Sequence, residues 1–146
     1  MVCSRRPWVF LCLLLSLAPA HAQQTLETKS TQAISVVKAV KIWDQAPHNA
    51  FTDLIRFQGR WFCTFRESKA HESFEGTLRI LTSTDGSQWE SAALITSKTS
   101  GLCDPKLTVT PDGQLMLTAA EWPHDRSQYE LRSLVWFSRD GRTWSD

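Results

Sequence analysis

The chain has 146 residues, of which 16 are basic and 15 are acidic, and its formal net charge at pH 7 is +1. Such a balance gives no electrostatic reason to expect a nucleic-acid or anionic-membrane partner. Seven Trp and seven Phe against one Tyr favour a β-rich chain that packs large rings between sheets.

The N-terminus has the pattern of a secretory signal peptide. Arg5 and Arg6 form a basic start, Trp8–Ala18 is an almost unbroken apolar run, and Ala20-His21-Ala22 offers small residues at a cleavage site. We therefore expect a signal peptide over residues 1–22, cleavage after Ala22, and a secreted or periplasmic protein. The apolar run is far shorter than the ~20 residues that cross a bilayer, so no membrane span is expected.

The next segment changes from a polar leader to short apolar stretches separated by turn residues. Residues 23–47 are expected to form the leader, with a possible first strand over 36–43. The later stretches predict an all-β fold, because strand-length segments alternate with turn chemistry throughout. The predicted strands are 51–57, 61–66, 77–82, 89–95, 106–110, 115–120 and 131–137. Glycine-containing turns are predicted at Gln58–Arg60 and Pro111–Gly113.

The strands belong to an internal repeat. One motif occurs twice at a shift of 55, as Ser83, Asp85, Gly86 and Trp89 and as Ser138, Asp140, Gly141 and Trp144. Three further positions match at a shift of 54: Gly59 with Gly113, Thr64 with Thr118, and Glu67 with Glu121. In each motif Asp can accept hydrogen bonds from its own turn, Gly supplies positive φ, and Trp begins the outgoing strand. A period in the fifties with four strands per copy predicts propeller blades.

At these residues the chain resembles the sialidase superfamily, whose six-bladed β-propellers carry this turn, the Asp-box, between the third and fourth strands of a blade. The resemblance covers residues 48–146. It implies a first blade over 48–97 and a truncated second blade over 98–146, so that only an N-terminal portion of a propeller is present. It also implies that the boxes are structural and lie away from the active site, which excludes Asp85 and Asp140 as catalytic acids.

Arg66 is the most informative candidate for substrate binding. Its neighbours Thr64 and Glu67 recur in the second copy, but its own place there is taken by Ala120, so it is poorly explained as scaffold. The resemblance matches Arg66 to an arginine that closes the second strand of the first sialidase blade and implies that it binds a substrate carboxylate. The alternative is a solvated or ion-paired arginine in a polar loop over 65–72.

Three other polar residues are expected near the same end of the sheet. His71 and Glu72 stand where the family carries a loop Asp that acts as acid/base, and either could transfer a proton if burial tuned it. The alternative is that both are exposed loop residues. Asp104, in Asp104-Pro105, resembles a substrate-contacting Asp of the family, and capping of a turn is its alternative role.

The first inner strand carries two further candidates and one departure from the family. His48 precedes this strand and should face the substrate end, and Asp53 should be paired or line the central channel. The family begins this strand with Arg-Ile-Pro, whereas here it reads Phe51-Thr52-Asp53-Leu54, which removes one arm of a carboxylate clamp. The family's Tyr nucleophile is expected in later blades, because Tyr129, the only tyrosine, lies in a loop.

Two functions are left open by these residues. The resemblance implies a secreted, sialidase-like, exo-acting glycoside hydrolase, and the alternative is a non-catalytic secreted propeller that binds glycan or protein. A glycan is the expected partner, no cofactor is expected, and no metal motif stands out among the dispersed histidines. Cys63 and Cys103 could pair or remain two buried thiols, since their spacing forms no disulfide framework.

Overall fold

The computed structural model of the chain describes residues 35–125, 127 and 131–145. The predicted signal peptide and Tyr129 lie outside the described residues. The chain divides into two compact units, and the larger one spans Lys38–Asp146. The other unit is Met1–Val37, of which the structure describes the exposed residues Ser35–Val37. All described strands lie in the larger unit. They are β1 (His48–Phe57), β2 (Arg60–Ser68), β3 (Thr77–Ser83), β4 (Glu90–Ile95), β5 (Ser100–Val109), β6 (Leu115–Pro123) and β7 (Arg132–Ser138).

These strands form two antiparallel sheets, which makes the fold all-β as predicted. Sheet A has the order β1-β2-β3-β4 and sheet B the order β5-β6-β7. The β1–β2 hairpin closes through Gln58 (φ 47°) and Gly59 (φ 79°), the two positive φ values that a tight two-residue turn needs. Within the described residues no helix is long and apolar enough to span a bilayer.

The seven predicted strands beyond residue 48 are confirmed, with two informative differences in their bounds. Strand β2 continues past its predicted end at Arg66 to Ser68, and β5 begins at Ser100 rather than at Lys106. The second difference arises because Asp104-Pro105 lies in a β-bulge inside the strand. A bulge leaves its residues outside the ladder and so accommodates a proline that cannot donate a hydrogen bond.

The possible strand over 36–43 does not form. Val36 and Val37 are 86% and 95% exposed, and the segment has no ladder partner in the described part of the chain. Trp43 instead packs by its side chain against buried Cys63, Phe65 and Leu81, on the face of sheet A that is turned away from sheet B. The alternation of valine and isoleucine in this segment therefore misled the prediction, because most of these side chains stay in solvent.

A shared core joins the two sheets. Its buried members are Phe57, Phe62, Leu78 and Ile80 from sheet A and Leu102, Leu107, Leu115, Leu117 and Ala119 from sheet B. Because successive strand residues point to opposite faces, Phe62 and Arg66 lie on the face of β2 that is turned towards sheet B. Each fully buried Leu or Ile stabilises this junction by roughly 1.5–3 kcal/mol.

The two Ser-x-Asp-Gly turns, which we call the box turns, have the same internal hydrogen bonds. In the first, the N–H groups of Ser87 and Gln88 donate to Asp85 Oδ1 at 2.8 and 2.9 Å, and Gly86 N–H donates to Ser83 Oγ at 2.8 Å. These backbone donors, Gln88 first, lower the pKa of the Asp85 carboxyl.

The second box turn repeats this arrangement. The N–H groups of Arg142 and Thr143 both donate to Asp140 Oδ1 at 2.8 Å, and Gly141 N–H donates to Ser138 Oγ at 2.8 Å. The pKa of Asp140 is lowered in the same way, by Thr143 first. Each carboxylate is thus engaged in closing its own turn.

An ion pair between a buried glutamate and an arginine of the neighbouring strand also recurs in both sheets. Arg79 of β3 donates to both carboxylate oxygens of Glu67 on β2, at 3.1 and 3.0 Å. In sheet B, Arg132 of β7 contacts Glu121 of β6 at 3.0 Å, and Ser100 Oγ donates to the same carboxylate at 2.6 Å. Glu67 and Glu121, which the sequence repeat aligned, are therefore carboxylates that tie neighbouring strands together.

Candidate functional site

Two β-bulges at equivalent places shape one end of the molecule. The register of β1 shifts between Ala50 and Asp53, and that of β5 shifts between Cys103 and Lys106. Phe51 and Asp104 stand inside these bulges with φ of 61° and 52°. Asp tolerates this left-handed conformation, whereas for Phe it costs roughly 1–2 kcal/mol. Strain of this kind is found at ligand sites, where a bulge re-aims a side chain.

A cavity of about 270 Å³ lies between the two bulges. Its lining consists of Phe51, Arg66, His71, Glu72, Ser73, Gly101, Leu102, Cys103, Asp104 and Trp122. Residues from both sheets and from the β2–β3 loop thus contribute to one pocket. Its volume is slightly below the ~300 Å³ at which pockets for drug-sized ligands begin, so it suits a single small ring.

Four of the candidate substrate and acid/base residues meet in this pocket: Arg66, His71, Glu72 and Asp104. His48 does not line it but stacks on His71, with ring centroids 5.5 Å apart. Asp53 lies elsewhere, where its Oδ2 accepts the N–H of Leu107 at 2.8 Å and links β1 to β5. Asp53, a candidate for substrate binding, is thus hydrogen-bonded to a backbone amide and absent from the lining, and the box-turn aspartates are absent from it as well.

Arg66 is buried, with 3% of its surface exposed. Its Nη1 donates to the carbonyl of His71 at 2.8 Å, and its Nη2 donates to the carbonyl of Ser73. Nε is buried without a hydrogen-bond partner, and no carboxylate among the described residues forms an ion pair with the guanidinium. The alternatives of a solvated or an ion-paired loop arginine are therefore both wrong. A buried cation without a directly bonded counterion is costly, and the two carbonyl dipoles offset part of that cost.

The β2–β3 loop is held tightly against β5. Leu102 N–H donates to the carbonyl of Gly76 at 2.9 Å, which joins the end of the loop to sheet B. A Cβ at Gly76 would lie 2.6 Å from Arg66 Nε, and one at Gly101 would lie 2.7 Å from the carbonyl carbon of Phe74. Glycine is needed at both positions because the two backbones cross there with no room for a side chain.

The acid/base candidates stand at the rim of the pocket. His71, Glu72 and Asp104 are all exposed. All three side chains are therefore accessible to a ligand in the pocket. His71 and Glu72 are exposed residues of the β2–β3 loop, which is the environment that the alternative interpretation expected.

Cys63 and Cys103 are free and buried, so of the two alternatives the unpaired thiols are correct. Burial and then the Asp53 carboxylate raise the pKa of Cys63 to about 11. Burial and then the Asp104 carboxylate do the same for Cys103, also to about 11. Because the thiolate is the reactive form, Cys103 is an inert part of the pocket wall near neutral pH.

Sequence reasoning missed two aromatic walls of the pocket. Phe51 lies with its ring centroid 5.6 Å from that of His71, and Trp122 lies 5.4 Å from Phe74. The repeat held a signal for both. Phe51-Thr52 occupies the same bulge position as Asp104-Pro105, and Trp122 follows Glu121 at the end of β6, as the candidate loop follows Glu67.

A metal centre finds no support, since the described residues contain no group of three or more His, Cys, Asp or Glu side chains able to hold an ion.

Comparison with known proteins bears on the fold alone. No protein-family model matches the chain, and no curated protein matches it. A crystal structure of an unknown-function protein from Dyadobacter fermentans DSM 18053 is similar, with a TM-score of 0.57 and 22% sequence identity. The match covers 68% of this chain and 35% of that one, so the chain spans about a third of that protein's length.

Proposed function

We propose that the chain is the N-terminal part of a secreted, sialidase-like β-propeller that binds a glycan in the pocket beside Arg66. In the complete propeller this site would serve an exo-acting glycoside hydrolase. The observation that carries the proposal is a buried guanidinium, without a carboxylate partner among the described residues, in the wall of an open pocket.

A sugar carboxylate is the ligand chemistry that the guanidinium itself would favour. A guanidinium has five N–H donors, and Arg66 commits two of them to the carbonyls of His71 and Ser73. A ligand carboxylate that reaches the remaining N–H groups would form charge-assisted hydrogen bonds of about 1.5–3 kcal/mol each. The carboxylates of Glu72 and Asp104 also line the pocket, but both residues are exposed at its rim. The rings of Phe51 and Trp122 offer apolar surface to the faces of a sugar ring.

The packing of the sheets supports a propeller. The face of β2 that carries Phe62 packs on sheet B, whereas the equivalent face of sheet B leaves Val135 and Phe137 47% and 37% exposed. Ile80, which aligns with Val135 at a shift of 55, is fully buried. The repeated sheets therefore stack in one direction, as blades do, and the outward face of sheet B suits a further blade.

The four candidates that line the pocket have roles in this proposal. Arg66 attracts the carboxylate, His71 or Glu72 donates a proton to the leaving oxygen, and Asp104 contacts the sugar from the opposite bulge. The nucleophile would come from elsewhere in the propeller. Secretion follows from the signal-peptide pattern over residues 1–22.

The affinity of the full chain for sialyllactose, measured by calorimetry beside lactose, tests the proposal. We expect a preference for sialyllactose that Arg66→Ala reduces by roughly 10- to 100-fold, the equivalent of one charge-assisted hydrogen bond. Arg56→Ala is the matched control, because Arg56 also donates to a turn carbonyl, that of Gly59, but is exposed and absent from the pocket lining. Equal affinity for the two sugars, or an unchanged preference in Arg66→Ala, would refute the proposal.

A non-catalytic glycan-binding propeller is the second candidate. It is favoured by the exposure of His71 and Glu72 and by Phe51-Thr52-Asp53-Leu54, which stands where the resemblance calls for an arginine. Incubation of the full-length protein with sialyllactose separates the two functions. Released sialic acid indicates the hydrolase, and retained binding without release indicates the binding protein.

A further inference from the structure

We infer that Arg66 is also a positioning residue, whose guanidinium sets the loop of residues 69–75 so that His71 and Glu72 stand at the pocket. The inference concerns the ligand-free protein, and only the identity of the ligand rests on the function proposed above. Arg66 would then have two roles, since the function proposed above treats it as an electrostatic contact for the substrate.

The hydrogen bonds of the guanidinium carry the inference. Its two terminal nitrogens donate to the carbonyls of His71 and Ser73, which flank Glu72 on either side. The fork of an arginine is planar and rigid, so two simultaneous bonds fix both the height and the tilt of this peptide segment. Arg66 itself cannot shift, because it lies on β2 and is 3% exposed.

Other backbone hydrogen bonds of the loop include two near its ends. Ser68 Oγ donates to the carbonyl of Ala70 at 2.8 Å, near the exit from β2. Leu102 N–H donates to the carbonyl of Gly76 at 2.9 Å, near the entry to β3. Between these points, His71 stacks on His48, Phe74 lies against Trp122, and Ser73 Oγ accepts the N–H of Glu75 at 3.2 Å. Arg66 adds two hydrogen bonds from β2 to the backbone carbonyls on either side of Glu72. Removal of the fork should therefore loosen the segment that carries both acid/base candidates.

Support of the loop by Arg66 also explains why this position differs between the two copies of the repeat. Ala120 occupies the place of Arg66 in sheet B and has no group that could hold a loop. The arginine is thus present in the sheet whose loop brings polar side chains to the pocket. A lysine could keep the positive charge at this position, but its single ammonium lacks the planar fork that spans two carbonyls.

Guanidinium NMR of the wild-type chain tests the inference without any substitution. In the absence of ligand, Arg66 is expected to give separate, slowly exchanging Nη1 and Nη2 signals, because both nitrogens are hydrogen-bonded in the buried site. Averaged signals that separate only after addition of sialyllactose would overturn the inference and leave the proposed function standing. Separate signals in a chain that binds no sialyllactose would support the inference while the proposed function fails.

Amide hydrogen exchange of Arg66→Lys supplies the second test. Loss of the guanidinium fork should raise the exchange rates of the Ser73 and Leu102 amides by at least tenfold relative to the Leu81 amide in β3. Arg56→Lys, which loses a bond to the exposed turn carbonyl of Gly59, should leave this ratio unchanged. An unchanged ratio in Arg66→Lys would overturn the inference.

Discussion

Replacing Gly141 with alanine is expected to destabilise the full chain by about 3 kcal/mol or more, whereas Gly86→Ala should cost about 1 kcal/mol. The two glycines hold the same place in the two box turns, with φ of 71° and 75°. Both substitutions therefore carry the same backbone strain. They differ in what the added methyl group meets.

The surroundings of the two turns explain the difference. A Cβ at Gly141 would overlap the ring of Phe62, which is 2% exposed and packed edge-on against Phe57 in the core between the sheets. At Gly86 the nearest atom is Nε1 of Trp61, at 3.7 Å, which is ordinary contact. Equilibrium denaturation of both variants measures the difference, and equal losses of unfolding free energy would show that the second box turn does not pack on sheet A.

The second large effect is expected at the pocket, where Gly101→Ala should lower the unfolding free energy by about 2–4 kcal/mol and abolish sialyllactose binding. The new Cβ would lie 2.7 Å from the carbonyl carbon of Phe74 and 2.9 Å from the nitrogen of Gly76. Both are backbone atoms, so no side-chain rotation relieves the overlap. The loop must then separate from β5, which breaks the hydrogen bond from Leu102 to Gly76.

Gly113→Ala is the matched control within the same sheet. A Cβ there meets no atom within 4 Å, and only the strain of φ 79° remains, at about 1 kcal/mol. Its turn lies at the opposite end of β5 from Gly101, so affinity for sialyllactose should be unchanged. If Gly101→Ala binds as tightly as Gly113→Ala, the loop does not form the wall of the binding site.

Local chemistry made much of the fold predictable. Asp-Gly and Gln-Gly turns, alternating apolar residues and the repeated Ser-x-Asp-Gly motif have physical meanings that need no long-range information. The strands beyond residue 48 and the hairpin at Gly59 followed from these signals. The same reasoning wrongly predicted a strand over residues 36–43, because a strand-like pattern does not show whether a neighbouring strand is available for pairing.

The site was less predictable, because it depends on contacts between distant segments. The sequence placed Arg66, His71, Glu72 and Asp104 near one end of the sheet, and these four side chains line one pocket there. Arg66 is buried and donates hydrogen bonds to loop carbonyls because residues 69–76 pack against β5. No spacing pattern encodes that approach, although glycine at positions 76 and 101 permits it.

The bulges illustrate the same limit. Asp104-Pro105 marked an irregular point in β5, but the equivalent bulge at Phe51 has no proline or glycine to announce it. Phe51 adopts a positive φ because the surrounding sheet imposes it, against the preference of the residue. Tertiary packing therefore placed an aromatic wall that propensity alone argues against.

Amide chemical-shift mapping with sialyllactose tests most directly whether the pocket beside Arg66 is the glycan site. We expect saturable shifts confined to the residues that line the pocket, at positions 51, 66, 71–73, 101–104 and 122, which lactose at the same concentration does not produce. The box turn at residues 83–89, at the other end of sheet A, is the internal reference and should remain unperturbed. Shifts centred on that turn, or equal shifts with both sugars, would contradict the account.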